Sequence, residues 1–262
     1  MDIAVITGAS SGIGKQFLGF IDKLGLDEIW AIALEQDKLD ELKNEFTTPI
    51  KPLAMDLTNA KHIDKYVKLL GEVKPNVKWL LNASGFGKFG RYDEIPVEQS
   101  ANMVDLNCKA LLCMTEYTLP YMTKGGRIVQ IASVAGWQPI PYIATYGATK
   151  AFVVSYGRAL NRELKSKGIS VTTICPFWTK TAFFKRAEDT GAGSQVVTKY
   201  TALYDPEFVA KSAFKAAIKR KELHVVGFKA KLQCFGVKVL PHSLVMKVWI
   251  NQQKLNKKYK DK

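Results

Sequence analysis

The sequence predicts an α/β fold, a single doubly wound parallel sheet with helices on both faces. Three observations predict it. Short apolar runs alternate with longer amphipathic stretches. The first apolar run ends directly in a glycine-rich turn, TGASSGIGK, residues 7–15. Asp56, Asn82-Ala83-Ser84-Gly85, Ser133 and Pro176 then fall just past the ends of later runs. Alternation of this kind calls for parallel strands joined by right-handed crossovers, and it places a ligand beyond the carboxyl ends of the strands.

The elements follow in order. Ile3–Thr7 is a continuous apolar run, as expected of a strand buried on both faces. The turn after it opens a helix, Gly12–Lys23. Ile29–Ala33 is the second strand and Asp37–Asn44 the second helix; Ile50–Ala54 and Ala60–Leu70 repeat the pair. Trp79–Asn82 is the fourth strand, followed by one long helix, Val97–Tyr121. Arg127–Ala132, then Tyr146–Lys165, then Ser170–Cys175 continue the alternation. Pro206–Lys219 is the last helix of the sheet domain, and a short apolar segment, His224–Val226, offers a seventh strand. The domain is expected to span residues 1–227, with a substrate lid at about 183–205 and a basic amphipathic extension at 228–262.

Bulk properties narrow the class. A chain of 262 residues with 47% hydrophobic content suits one large domain with a substantial core. No span approaches the roughly 18 uninterrupted apolar residues of a transmembrane helix. The chain opens on a strand, with no basic leader region, so a cytoplasmic protein is expected. Its four cysteines are scattered and its three histidines lie far apart, which fits reduced thiols and no metal site. The net charge is +14, but residues 211–262 hold fourteen Lys/Arg against two acids, Glu222 and Asp261, so +12 of it lies there.

The glycine turn is not a triphosphate loop. That loop needs four residues between its glycines and a Lys-Ser/Thr pair after the second. Here five residues separate Gly8 from Gly14, and Gln16 follows Lys15. The common dinucleotide pattern G-x-G-x-x-G fails too, because Phe17 falls in the third glycine's place. What remains is G-x-x-x-G-x-G, which can do the same work. Gly8 allows a sharp exit from the strand, Gly12 a close approach of backbone to phosphate, and Gly14 a close packing of helix on sheet. The helix amides then face an anion.

Tyr146 and Lys150 stand at i and i+4, on one helix face. A phenol titrates near ~10, and a nearby ammonium lowers that value. So tuned, the tyrosine can exchange a proton with a carbonyl or alcohol oxygen. Ser133 can hydrogen-bond the same oxygen. Taken singly, Tyr-x-x-x-Lys is common and such a tyrosine is usually packing.

Taken together, T-G-x-x-x-G-x-G and S-x12-Y-x-x-x-K make the chain resemble the short-chain dehydrogenase/reductase family from about Asp2 to Phe184. The resemblance implies a Rossmann fold and an NAD(P)-dependent oxidoreductase, such as a carbonyl reductase. Tyr146 would be the proton donor or acceptor, Lys150 would tune it and hold the nicotinamide ribose, and Ser133 would orient the carbonyl. Asn107, in DLNCKA, would anchor a proton-relay water through its backbone. Gly8, Ser10, Ser11, Gly12, Ile13 and Gly14 would take the pyrophosphate. Leu34, Asp56, Leu57, Asn82, Ala83 and Gly85 would line the adenosine side, and Pro176, Thr179 and Thr181 the nicotinamide side. The family's N-N-A-G is N-A-S-G here, and its Pro-Gly after strand six is Pro176-Phe177. Many NADPH-using members carry Arg where Leu34 sits. Glu35 could instead meet a ribose diol, and Lys15 a 2′-phosphate, so the reading leans to NADP over NAD.

The aromatic residues around the lid, with Leu203, suggest an apolar small-molecule substrate: Phe86, Phe89, Trp137, Tyr142, Trp178, Phe183, Phe184, Tyr200 and Tyr204. The basic extension, which Pro241 divides into two amphipathic helices, suits a cover for the pocket, a subunit contact in a homo-oligomer, or peripheral contact with a membrane. Nucleic acid is disfavoured, since no binding motif accompanies the charge. The alternative to an enzyme is a dinucleotide sensor or membrane-surface scaffold on the same fold.

Overall fold

The structure is a computed structural model and describes residues 1–189 and 196–258. Seven parallel strands form one sheet in the order β3-β2-β1-β4-β5-β6-β9. They are β1 (Asp2–Thr7), β2 (Glu28–Ala33), β3 (Ile50–Ala54), β4 (Asn76–Asn82), β5 (Arg127–Ile131), β6 (Ser170–Cys175) and β9 (Leu223–Val225). The chain runs outward from β1 to β3, then returns past β1 to β4. The switch point therefore lies between β1 and β4, directly where the glycine turn leaves the sheet.

Successive side chains of a strand point to opposite faces. Ala4 and Ile6 pack on one side with Phe17, Leu18 and Val209, under α1 (Gly12–Ile21), α2 (Gln36–Glu45) and α8 (Pro206–Ile218). Ile3 and Val5 pack on the other with Tyr66, Leu70 and Met114, under α3 (Ala60–Val73), α5 (Leu111–Thr118) and α6 (Ala144–Glu163). Both faces are covered, which is why the strand sequences read as continuous apolar runs.

The long helix expected over Val97–Tyr121 is not continuous. It is α4 (Val97–Val104), a π-helical segment over Asp105–Ala110, α5, and a 3-10 turn over Leu119–Tyr121. The break is centred on Asn107, whose buried side-chain amide binds both backbone groups of Phe86. Nδ2 donates to the Phe86 carbonyl at 2.8 Å, and Oδ1 accepts from the Phe86 amide at 3.1 Å. Single-turn π segments inside helices favour functional sites.

A two-stranded ribbon, β7 (Trp178–Thr179) with β8 (Leu203–Tyr204), and a short helix, α7 (Phe183–Glu188), stand at the carboxyl end of the sheet. The lid expected at about 183–205 includes residues 190–195, which lie outside the described residues. The C-terminal extension folds as α9 (Phe228–Val239), α10 (His242–Gln252) and α11 (Leu255–Lys258), with Pro241 at the start of α10 as expected.

Candidate active site

A cleft of about 610 Å³ crosses the carboxyl ends of β1, β4, β5 and β6. At its outer end stands the glycine turn. Gly8 has φ +68 and Gly12 φ +54, conformations that favour glycine. A Cβ on Gly8 would lie 3.0 Å from the backbone of Ala83, and one on Gly14 only 2.1 Å from the carbonyl oxygen of Gly8. The turn is thus packed backbone against backbone. Ser11, the N-cap of α1, makes no side-chain cap bond, so the first-turn amides stay open to an anion on the cleft side. Thr7 Oγ1 accepts from the amides of Ala83 and Ser84 at 3.1 Å each, fixing β4's exit against β1's. A concave rim of open amides with no side chain in the way fits the pyrophosphate of a dinucleotide.

Midway along the cleft Ser133, Tyr146 and Lys150 meet. Ser133 caps a 3-10 turn, Val134–Trp137, accepting from the Ala135 amide at 3.1 Å. Tyr146 and Lys150 come from the first turns of α6. Lys150 is buried, its Nζ donates to the Ile131 carbonyl at 2.8 Å, and it lies 5.7 Å from the centroid of the Tyr146 ring. Gly136 lets this turn close on α6: a Cβ there would come within 2.5 Å of the Lys150 carbonyl oxygen.

The acidities differ from the expectation that the ammonium lowers the phenol. Burial dominates and pushes Tyr146 up to about 12, a hydrogen bond with Ser133 partly offsets it, and Cys175 adds to the rise. Burial likewise pushes Lys150 down to about 8, with Cys108 and Cys175 acting the other way. Spacing places the pair; only the packed fold reveals that Lys150 is buried and Tyr146 partly so. These shifts carry a stability signature. Between about 8 and 10.5 the unfolded chain holds the Lys150 proton more firmly than the fold does, so stability rises with pH across that window. For Tyr146 the fold holds the proton more firmly, so stability falls between 10.0 and about 12. Lys150→Met should therefore gain in Tm relative to the parent most at about pH 7 and less at about pH 10. A gap independent of pH in paired thermal melts would mean that the ammonium is not desolvated.

The inner end of the cleft is apolar. Phe86, Phe89, Trp178, Phe183 and Phe184 line it, as the sequence suggests. Trp137, Tyr142, Tyr200, Leu203 and Tyr204 do not. Trp137 turns away, donates to Cys175 Sγ at 3.4 Å and sits under Lys238 of α9. Tyr142 packs behind the wall. Tyr200 donates to Glu188 at 2.6 Å, Tyr204 stacks on Phe208, and Leu203 is exposed. Further wall comes from α9, α10 and the turn between them, through Gly236, Val237, Leu240, Val245, Val248 and Trp249, and Arg186 of α7 lies 4.0 Å from the centroid of the Phe86 ring.

The chain is similar to several known proteins. The family described as short chain dehydrogenase matches residues 2–191. The chain belongs to the short-chain dehydrogenase family. An uncharacterized oxidoreductase of Staphylococcus epidermidis is 34% identical over 176 residues, 66% of this chain and 76% of that one. The very-long-chain 3-oxoacyl-CoA reductase of Bos taurus is 33% identical over 195 residues, 70% of this chain and 62% of that one. Among solved structures, a short-chain dehydrogenase from Sphingobium yanoikuyae in complex with NADPH superposes with a TM-score of 0.77 at 25% identity, covering 90% of this chain and 92% of that one.

In this short-chain dehydrogenase most residues expected at the site do line the cleft. Gly8, Ser10, Ser11, Gly12, Ile13 and Gly14 form its glycine-turn end. Leu34, Asp56, Leu57, Ala83 and Gly85 follow, then Ser133, Tyr146, Lys150, Pro176, Thr179 and Thr181. Two do not. Asn82 is buried below the floor, and its Nδ2 donates to Thr115 and Gln130 at 3.0 Å each. It ties the sheet to α5, because the last residue of β4 points away from the cleft. Asn107 also stays beneath the surface and acts on Phe86 and Thr149. Lys15 is absent from the lining too: its ammonium is 2.8 Å from Glu45 on α2. Sequence reasoning missed Gln138 and Ile143, which line the cleft from the segment between Ser133 and Tyr146. It also missed the specific wall residues of α9 and α10, which carry no motif.

Proposed function

We propose that the protein interconverts a carbonyl and an alcohol on an apolar small molecule, using a nicotinamide dinucleotide. The observation that carries this reading is the meeting of Ser133, Tyr146 and Lys150 with the glycine turn in one cleft. The dinucleotide supplies the hydride. Tyr146 holds the proton: with its acidity near 12 it is a neutral phenol at neutral pH, ready to donate to a developing alkoxide, which favours reduction of a carbonyl. Ser133 positions the same oxygen. Lys150, anchored on Ile131, holds positive charge close to the phenol ring and would hold the ribose hydroxyls of the cofactor. The apolar inner end, closed by α9 and α10, excludes water and accepts a lipophilic carbonyl. The name of the bovine relative, a reductase of a 3-oxo group on a long acyl chain, is consistent with that class.

The adenosine end supports NAD over NADP. The leaning to NADP rested on Lys15, which Glu45 engages. Glu35, the N-cap of α2 just past β2, lines the cleft together with Asp56, and an acid there would accept from a ribose 2′-hydroxyl and repel a 2′-phosphate. Lys38, 2.6 Å from Glu35, only partly offsets it in this exposed setting. Fluorescence titration should give NADH an affinity about ten-fold above NADPH, a difference of about 1.4 kcal/mol. Tighter NADPH would place Lys38 on the phosphate and reverse this assignment. Oxidation of the reduced cofactor with a panel of apolar ketones and aldehydes tests the activity itself. Binding of both forms without turnover of any carbonyl would favour a sensor.

A further inference from the structure

The C-terminal helix α9 is apolar on two opposite faces. Ala230, Cys234 and Val237 are buried against the body of the protein. On the other side Phe228, Leu232, Phe235 and Val239 are 79%, 61%, 66% and 66% exposed. Their spacing, i, i+4, i+7 and i+11, puts them within about 60° of one another at about 100° per residue. By the same count Lys229 stands on one flank of this stripe and Lys231 and Lys238 on the other. The next helix continues the pattern with exposed Leu244 and Val248 beside Lys247. From residue 228 to 258 there are seven lysines and no Asp or Glu.

We propose that the α9–α10 face docks on an anionic lipid surface, with the stripe in the acyl boundary and the flanking lysines among the headgroups. An exposed apolar row bordered on both sides by long cationic side chains matches such a boundary, because lysine stems lie along apolar surface while their ammonium groups stay wet. A second copy of this chain is the weaker occupant. Two-fold pairing of the stripes would bring lysine rows together with no acid in the segment to neutralise them. The stripe is also continuous with the cleft: Leu240 and Val248 are exposed and line it as well. A surface-bound protein would thus turn the apolar end of its cleft toward the lipid. Docking itself does not depend on the proposed activity. Among the described residues no helix is long and apolar enough to cross a membrane, so the contact is peripheral.

The test is co-sedimentation of the full chain with phosphatidylcholine vesicles, alone or with about one third phosphatidylglycerol, at low and high salt. Binding is expected only with the anionic lipid and should weaken with salt. The triple variant F228S/L232S/F235S should bind at least ten-fold more weakly. The pair K229E/K231E should lose about five-fold per lysine removed. These side chains lie outside the cleft, so cofactor affinity should be unchanged in both variants, whatever the catalytic reading proves to be. If the triple variant does not fold, hydrogen exchange of the parent replaces it, with protection at 228–248 on adding anionic vesicles as the expected result. Absence of binding at low salt, equal binding by the triple variant, or a parent dimer in sedimentation velocity that the triple variant abolishes would each overturn the proposal.

Discussion

Tyr146→Phe is expected to lower kcat by about 10²- to 10⁴-fold, the usual worth of a positioned general acid. Dinucleotide affinity should stay within a factor of about two, since the phenol ring is retained. The ring is held by packing on Phe183, with centroids 5.3 Å apart, and that contact survives loss of the hydroxyl. A stopped-flow trace of cofactor oxidation beside a binding isotherm separates the two effects. Unchanged turnover would remove Tyr146 from the proton path. Weakened binding would instead mean that the hydroxyl organises the cleft before chemistry begins. The side chain is partly buried, and Phe also removes the hydroxyl that hydrogen-bonds Ser133.

The second large effect is Gly14→Ala. An added Cβ would meet the Gly8 carbonyl oxygen at 2.1 Å and its carbon at 2.7 Å. Both are backbone atoms of the tight turn, so no flexible side chain can give way. The start of α1 must move off the sheet, which costs about 1–3 kcal/mol or more. At this chain length that is a Tm loss of roughly 2–4 °C per kcal/mol. Loss of dinucleotide affinity should exceed the loss of stability, because the amides proposed to meet the pyrophosphate shift with the helix. Gly19→Ala, on the same helix, is the control. Nothing lies within 4 Å of its added Cβ, and it should stabilise by up to about 1 kcal/mol. Equal behaviour of the two variants would sink the account of the turn.

What the sequence disclosed and what it concealed divide along a physical line. The glycine turn and the Tyr146–Lys150 pair are local: their spacing in the chain is their spacing in space. Strand runs were legible because both faces of the sheet are covered. The π segment was not, because the helix yields there to a contact with Phe86, 21 residues earlier in sequence. The direction of Asn82 was hidden for a similar reason, since its partners are on α5 and β5. Aromatic composition overstated the lid: Trp137 and Tyr204 found partners behind it. The raised pKa of Tyr146 came from burial, which no i, i+4 spacing reports. The extension was ambiguous because it does two things at once, walling the cleft with one face and leaving the other bare.

One contact in that extension reaches further than its size suggests. Gln253, buried beyond α10, accepts from the backbone amides of Thr198 and Lys199 at 2.9 and 3.1 Å and donates to the Lys199 carbonyl at 3.1 Å. A single side chain thus stands in for a neighbouring strand, joining two segments over fifty residues apart in sequence. The molecule is therefore divided in a way its domain layout does not show. The sheet and its first six helices form a chassis that presents the glycine turn and the Ser133–Tyr146–Lys150 group. The segments that Gln253 joins form one cassette of the cleft wall, with Lys199 and Thr201 on one side and Val248 and Trp249 on the other. Grafting either segment alone from a relative would break the cassette, and a change of substrate would require both to move together.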